Sequence, residues 1–296
     1  NDAAKLSVRV GFEGENADVF TKAVAAPNGT FKATLSDDGT EFGPVTIYAE
    51  SGQASQSGII VRIEDGNGDK AEQGLKWFVE VTGSGGFDGF IDTTDANGFV
   101  KLKDDTATVD HLTTIGFPAI ASKVLAIGSF TSKNAWTDSG GGQQTSPEEA
   151  DGKVPQLGAV SAFSSQGPSR NPAATGPKPD VVAPGQVVVS ALSGSAKESA
   201  SKVIVASPNG FFADEGTSMA SPAAAGIVAL MLQASPKLGV AEVRKILTGN
   251  ANPESMGAKL PDVAWGFGRV NALASTIAAE ATGGGSSSSG GSSSSG

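Results

Sequence analysis

The chain has 296 residues, 31 acidic against 21 basic side chains, and no cysteine. The net charge of −10 argues against binding to nucleic acid or to an anionic lipid surface, because both need a basic face. The lack of cysteine excludes disulfides and metal–thiolate sites. No uninterrupted apolar run reaches the roughly 18–20 residues of a membrane-spanning helix, so no membrane span is expected.

The charge is unevenly distributed along the chain. Residues 1–112 hold 19 of the acidic and 9 of the basic side chains, whereas residues 113–296 hold 12 of each. Such a sharp change in charge predicts a domain boundary near residue 112.

Residues 1–104 have the pattern of β-strands. Apolar and polar side chains alternate with a period of two in five segments, and Gly-, Asn- and Asp-rich turns separate the segments. The five segments are residues 6–12, 31–35, 45–48, 59–63 and 75–81. Short strands at regular intervals predict that residues 1–112 form a β-sandwich of about seven or eight strands.

One turn in this region has alternating oxygen ligands, as a calcium loop does. It is the Asp-Gly-Asn-Gly-Asp run at residues 65–69. The run departs from the EF-hand pattern, because Lys70 stands where glycine is needed and Lys76 where the bidentate glutamate should be. We therefore expect a hairpin turn at this run.

Residues 113–282 alternate between strand and helix patterns, which predicts an α/β domain. Residues 124–127 and 187–191 are expected to be buried strands, and residues 137–153 a polar surface loop. Two helices are expected, at residues 218–234 and 240–247, the second ending at Gly-Asn. The small residues 223–226 would let the first helix lie close to a sheet. Residues 283–296 are a Gly/Ser tract with the composition of a flexible linker, natural or engineered.

The most informative run is Gly-Thr-Ser-Met-Ala-Ser-Pro at residues 216–222, which leads into an apolar helix. It places Ser218 at a helix N-terminus, where free amide donors and the helix dipole stabilise a developing negative charge. Gly216 permits a tight turn and close approach of a substrate, and Pro222 is expected in the first helical turn, where its missing N–H costs nothing. On these grounds alone, a capped core helix is an equal alternative.

The amino-acid sequence of this run resembles the nucleophile signature of the subtilisin-like serine proteases. Three more blocks follow the family's order: Thr-Ile-Gly-Phe-Pro at 114–118 with 124–128, Phe-Ser-Ser-Gln-Gly-Pro at 163–168 with Lys-Pro-Asp-Val-Val-Ala-Pro-Gly at 178–185, and Trp-Gly-Phe-Gly-Arg-Val-Asn at 265–271. The resemblance covers residues 113–278. It implies a partial subtilisin-like, three-layer, parallel-sheet domain, with a β-rich insertion before it and a cis peptide bond between Phe117 and Pro118.

The resemblance assigns the catalytic role to Ser218, with Gly216, Thr217, Met219 and Pro222 supporting the nucleophile turn. It implies peptide-bond hydrolysis in protein or peptide substrates, with no cofactor needed for the chemistry. Family members often bind structural calcium, but this sequence offers no assignable ligand set. The resemblance also implies a secreted or cell-surface, bacterial protein.

Two thirds of the expected catalytic triad are missing. A serine nucleophile needs a base and a group that orients the base. The single histidine, His111, lacks the family's Gly-Thr continuation and is interpreted as a linker or surface residue. Asp92, in an Asp-Thr-Thr run, is the nearest approach to the family's Asp-Thr-Gly. The asparagine that completes the oxyanion hole is also expected upstream of residue 1.

Two explanations fit this incomplete triad. The chain starts without methionine or signal peptide and ends inside a Gly/Ser tract, so both ends look cut. Because the remaining family blocks are intact, we expect a fragment that is inactive alone and that needs the N-terminal half of the peptidase domain. The alternative is a pseudo-protease or β-sandwich binding module, with an aromatic binding face formed from Trp77, Phe78, Phe87 and Phe90.

Overall fold

The computed structural model describes most of the chain. The described residues are 5–13, 17–25, 29–37, 40–51, 57–63, 77–84, 112–146, 154–169, 173, 176–205, 210–254 and 256–283. They fall into two compact units, unit 1 (Asn1–Phe90) and unit 2 (Ile91–Gly296). The described part of the chain has a gap between 84 and 112, so the boundary near residue 112 stays a prediction. The Gly/Ser tract beyond residue 283 also lies outside the described residues.

Unit 1 consists of two antiparallel sheets. Strand β1 pairs with β7 along its whole length and with the short strands β2 and β3 on its other edge, while β4, β5 and β6 form a meander. The strands are β1 Lys5–Phe12, β2 Val19–Phe20, β3 Val24–Ala25, β4 Gly29–Asp37, β5 Thr40–Ser51, β6 Ser57–Ile63 and β7 Trp77–Ser84. The described residues of all five predicted strand segments lie in strands, and residues 75 and 76 of the fifth segment lie outside the described residues.

The core of unit 1 lies between its two sheets. Val10 and Phe12 of β1 meet Val45 and Ile47 of β5, and all four side chains are fully buried. Alternate residues of β1, such as Arg9, point to the other face, as the period of two requires. The two sheets with a shared apolar core confirm the predicted sandwich, with seven strands in the described residues.

Unit 2 is built around a parallel strand pair. Strands β8 and β11 are parallel, β9 and β10 form a hairpin, and β12, β14 and β13 form an antiparallel sheet in that order. The elements are β8 Ile127–Thr131, β9 Ala135–Thr137, β10 Gln143–Thr145, β11 Val181–Gln186, β12 Val188–Ala191, β13 Val203–Val205, β14 Phe211–Asp214, α1 Thr217–Ala234, α2 Val240–Gly249 and α3 Ala272–Gly283. Parallel strands with packed helices confirm the α/β class.

Helix α1 lies against the parallel pair through small side chains. Ala220 and Ala224 contact Ala183 of β11, and all three residues are buried. Further along α1, Ile227 and Met231 form a second cluster with side chains of α2 and α3. In the described part of the chain, α1 is the one helix whose length and mean hydropathy of 1.3 also suit a membrane span. Its packing against β11, α2 and α3 is that of a core helix.

Unit 2 differs from the sequence expectations in four places. The strand predicted at 124–127 begins only at Ile127, and the strand predicted at 187–191 is β12, which is antiparallel and largely exposed. Part of the expected loop at 137–153 is the β9–β10 hairpin. Helix α3 was not expected, because its alanine-rich sequence has no clear apolar stripe. The predicted helices at 218–234 and 240–247 are confirmed as α1 and α2, and Asn250 caps the end of α2.

Candidate active site

Ser218 is the second residue of α1, and its side chain is exposed at the helix N-terminus. The residue before the helix, Gly216, has φ 146° and ψ 160°, a conformation that glycine adopts far more easily than other residues. The N–H of Gly216 donates to the carbonyl of Gly185 at 2.9 Å. This bond joins the turn before Ser218 to the end of β11.

The helix N-terminus offers free hydrogen-bond donors beside the serine. Among the described residues, the N–H groups of Thr217 and Ser218 have no acceptor within hydrogen-bond distance, and neither has Ser218 Oγ. Intrahelical bonding starts at Met219, whose N–H donates to the carbonyl of Gly216 at 3.0 Å. Free amides at the positive end of a helix can stabilise an oxyanion that forms beside the hydroxyl.

The residues expected to support the nucleophile turn differ in burial and in their position within α1. Thr217 and Met219 are half-buried on either side of Ser218. Pro222 does not lie in the first helical turn as expected, because α1 begins at Thr217 and Pro222 is its sixth residue. Proline there has no N–H to donate to the carbonyl of Ser218, so that carbonyl lacks its intrahelical partner.

A cleft of about 210 Å³ lies next to Thr217. Three of the four sequence blocks contribute to its wall, one of them through Thr217, the first residue of α1, and none of the lining side chains carries a charge. The lining residues are Ile115, Gly116, Phe117, Ala119, Ala126, Ile127, Ser165, Pro179 and Thr217. The Phe117–Pro118 peptide bond at this cleft is cis, as expected. The cleft is therefore suited to an uncharged group.

Buried charges hold the segment that leads into β11. Lys178 Nζ lies 2.8 Å from Asp180 Oδ2, which also accepts the N–H of Ala126 at 2.8 Å. Arg244 of α2 places its Nε 2.9 Å from Asp180 Oδ1 and donates to the carbonyls of Ser122 and Val124. Lys178 also donates to the Val124 carbonyl. One carboxylate thus links the wall of the cleft, β11 and α2.

The other serines in the family-like blocks are placed differently from Ser218. Ser164 is buried, and its Oγ accepts the N–H of Ser129 at 2.9 Å. Ser165 lines the cleft, and Ser221 is exposed one turn further along α1. Among these serines, Ser218 alone has its side chain at the free N-terminal amides of α1.

Several residues singled out in the sequence lie outside the described residues. They are His111, Asp92 and the Asp-Gly-Asn-Gly-Asp run at 65–69. Among the residues that the structure describes, no group of three or more His, Asp or Glu side chains is arranged to hold a metal ion. Structural calcium therefore stays a prediction.

Two of the four aromatic side chains considered as a binding face are described, and they lie on opposite sides of their sheet. Trp77 packs into the core of unit 1, with its ring centroid 5.3 Å from that of Phe12. Phe78 pairs with Phe20 on the other face at 5.2 Å, and Phe87 and Phe90 lie outside the described residues. The described pair Trp77 and Phe78 therefore cannot share one surface.

The sequence pattern gives no sign of one further residue at this site, Glu215. Its carboxylate is held by side chains that are between 29 and 69 residues away in sequence. Contacts at such distances leave no local periodicity or motif from which they could be predicted.

Comparison with known proteins establishes the family. The model of the subtilase family matches residues 15–285, so the chain belongs to the subtilases, which are serine proteases of the subtilisin type. The serine protease AprX of Bacillus subtilis (strain 168) is 30% identical over 159 residues, which are 54% of this chain and 31% of AprX. The subtilisin-like protease SBT3.13 of Arabidopsis thaliana is 40% identical over 93 residues, which are 31% of this chain and 11% of that protein.

A solved structure supports the fold. The CspB protease of Clostridium perfringens superposes with a TM-score of 0.56 at 18% identity, covering 94% of this chain and 53% of that chain. At this identity the likeness concerns the fold alone. The chain thus spans about half of that structure and a third or less of AprX and SBT3.13.

Proposed function

We propose that Ser218 is the nucleophile of a subtilisin-like serine endopeptidase. The observation that carries this proposal is the exposed hydroxyl of Ser218 beside the free N–H groups at the start of α1. Ser218 Oγ attacks a peptide carbonyl while a base takes the hydroxyl proton, and the Ser218 N–H donates to the resulting oxyanion. The amine then leaves with the proton from the base, and water releases the acyl group.

The base and its orienting carboxylate come, in this proposal, from a part of the protein that this chain does not contain. The sequence has one histidine and neither a His-Gly-Thr nor an Asp-Thr-Gly run. Apolar side chains of helices α1 and α3 are also exposed to solvent. Leu230 of α1 is 47% exposed, and Leu273 and Ile277 of α3 are 72% and 57% exposed. Surfaces of this kind favour a fold that further chain completes.

The substrate class follows from the same site. An endopeptidase acts on proteins or peptides, and the uncharged cleft beside Thr217 would accept an uncharged substrate side chain. No cofactor is needed for this chemistry, since the nucleophile, base and oxyanion donors are all protein groups. Export from a bacterial cell is part of the proposal and rests on the family resemblance alone.

The test is a steady-state comparison in the full-length protein, with its upstream sequence. Ser218→Ala should lower kcat by about a million-fold, the loss found for the nucleophile of subtilisin itself, and leave KM little changed. Ser221→Ala is the matched control, because Ser221 is also an exposed serine of α1 and lies one turn away. The proposal fails if Ser218→Ala keeps more than about a hundredth of wild-type kcat.

A further inference from the structure

A polar network lies directly before the nucleophile turn, where β8 and β11 end. Thr131 is the last residue of β8, Gln186 is the last residue of β11, and Ser146 follows β10. All three side chains are buried. The fourth member, Glu215, is half-buried and precedes Gly216. Buried polar side chains are costly unless their hydrogen bonds are satisfied, so the pairing within this network is informative.

The network directs two donors at one oxygen of Glu215. Ser146 Oγ donates to Glu215 Oε2 at 2.6 Å, and Gln186 Nε2 donates to the same oxygen at 3.3 Å. Gln186 Nε2 is also 3.0 Å from Ser146 Oγ. At the other end of the amide, Thr131 Oγ1 donates to Gln186 Oε1 at 2.9 Å, so the threonine sets the orientation of the glutamine.

Backbone bonds fix the same region. The N–H of Lys133 donates to the carbonyl of Gln186 at 3.1 Å, and the N–H of Val187 donates back to the carbonyl of Lys133 at 2.7 Å. The Gly216 N–H is bonded to Gly185. The end of β11 is thus bonded both to the segment that follows β8 and to Gly216.

The position of the Ser218 side chain depends on this turn more than it would if hydrogen bonds held the side chain itself. Its hydroxyl has no hydrogen-bond partner among the described residues, so its position comes from the backbone of α1 and the turn before it. That turn passes through Gly216, which lacks a side chain and can adopt many conformations. Hydrogen bonds to the side chain of Glu215, the residue before this glycine, therefore restrict the position at which α1 begins.

We propose that Glu215 is a positioning residue for Ser218. Its anchored carboxylate fixes the turn so that Ser218 Oγ and the Ser218 N–H keep their places relative to a substrate carbonyl. Glu215 does not touch the reacting atoms and acts through Gly216 and Thr217. The inference rests on the proposed function of Ser218.

The test uses the full-length protein and measures kcat and KM separately. Glu215→Ala should lower kcat by about 10- to 100-fold with KM within about threefold, because a misplaced nucleophile slows the chemical step more than it weakens binding. Glu215→Gln keeps an oxygen that accepts the Ser146 hydroxyl and should recover kcat to within about fivefold of wild type. Ser146→Ala, which removes one donor, should lower kcat by about three- to tenfold.

Two further variants sharpen the result. The double variant Glu215→Ala/Ser146→Ala should be no slower than Glu215→Ala, because both changes break the same network. Asp214→Asn is the matched control. Asp214 is the neighbouring acid, but its carboxylate pairs with Lys202 at 2.9 Å and lies outside the network. Its kcat should stay within about twofold of wild type.

A fluorophosphonate probe separates failure of the inference from failure of the proposed function. If the wild-type protein is not labelled at Ser218, the proposed function is wrong. If Ser218 is labelled in the wild type but Glu215→Ala has wild-type kcat, or changes KM alone, Glu215 does not position the serine. Should Glu215→Ala fail to fold, unchanged kcat in Ser146→Ala would overturn the inference in the same way.

Discussion

Both units bury apolar side chains, and unit 2 buries an ion pair as well. In unit 1 the largest fully buried side chains are apolar, such as Phe12 and Ile47, and they come from both sheets. In unit 2 one of the largest is Lys178, which is paired with Asp180. Two facing sheets can enclose an apolar core by themselves, whereas a parallel pair needs helices or strands on every side.

Exposed apolar residues strengthen the contrast. Unit 1 exposes a few, such as Ile60 on β6, but the described part of its core is closed. In unit 2 the exposed apolar side chains include Leu230 of α1 and Leu273 and Ile277 of α3, and Phe117 at the cleft is 87% exposed. This difference underlies the prediction that unit 1 folds on its own and the proposal that further chain completes unit 2.

Hydrogen exchange on the isolated chain should give the largest difference between the units. Amides of the sandwich core, such as that of Val45, should open only by global unfolding of unit 1, whereas amides in 187–232 should exchange orders of magnitude faster through local opening. The reason is that apolar side chains exposed on α1 and α3 contribute little to the free energy of unfolding, so local opening of unit 2 should cost less free energy. Equal, strong protection in both units would show that unit 2 is stable alone.

The next effect concerns the buried charges of unit 2. Asp180→Asn in the full-length protein should destabilise unit 2 by about 3–5 kcal/mol, because the buried ammonium group of Lys178 would lose its carboxylate and the partly buried Arg244 would lose one partner. Glu254→Gln is the matched control, since Glu254 pairs with Arg269 at 3.4 Å at an exposed position and should change stability by less than about 1 kcal/mol. Urea unfolding followed by exchange of unit 2 peptides measures both. Similar losses for the two variants would contradict the assigned role of Asp180.

Matched truncations compare the two cores directly in the isolated chain. Ile47→Ala should destabilise unit 1 by about 2–5 kcal/mol, because Ile47 is fully buried and its removal leaves a cavity. Leu230→Ala, at a half-exposed position of α1, should destabilise unit 2 by less than about 1 kcal/mol. If Leu230→Ala lowered the free energy of unfolding as much as Ile47→Ala, other residues of this chain would cover the face of α1 that carries Leu230.

The smallest effect is a local pH dependence in the β9–β10 hairpin. The Gly142 N–H and the Gln144 amide donate to Asp138 and lower the pKa of its carboxyl below the ordinary value. A lowered pKa means that this carboxylate stabilises the folded hairpin above the pKa of the unfolded chain, and that the stabilisation is lost as pH falls through the folded pKa. An NMR titration of the Gly142 amide should show this step, and Asp138→Asn should abolish it. A step at the ordinary pKa of aspartate would show that these hydrogen bonds do not stabilise the carboxylate.

The sequence predicted regular elements best where the side-chain pattern matched one local period. In β1, alternate residues Val8, Val10 and Phe12 are buried, so a period of two located the strand. The two-residue strands β2 and β3 are too short to show any period. Strand β8 was placed three residues early, because its Gly128 and Ser129 do not resemble a buried strand. Ser129 is buried because Ser161 and Ser164 bond to it from distant parts of the chain.

The candidate site was also predictable only in part, because some of its contacts join residues that are distant in sequence. The run at 216–222 predicted a serine at a helix N-terminus from residues adjacent in sequence, and α1 begins there. The first-turn position of Pro222 was wrong, because the helix starts at Thr217 rather than nearer the proline. Glu215 could not be predicted, because Ser146 and Gln186 reach it only through the folding of β10 and β11.

Labelling of Ser218 by a fluorophosphonate tests the central claim most directly. The probe is applied to the isolated chain and to the full-length protein, with Ser218→Ala as the control in both, and the modified peptide is identified by mass spectrometry. The account predicts stoichiometric labelling of Ser218 in the full-length protein and none in the isolated chain, because activation of the hydroxyl needs a base from outside this chain. Labelling of Ser218 in the isolated chain, or none in the full-length protein, would contradict it.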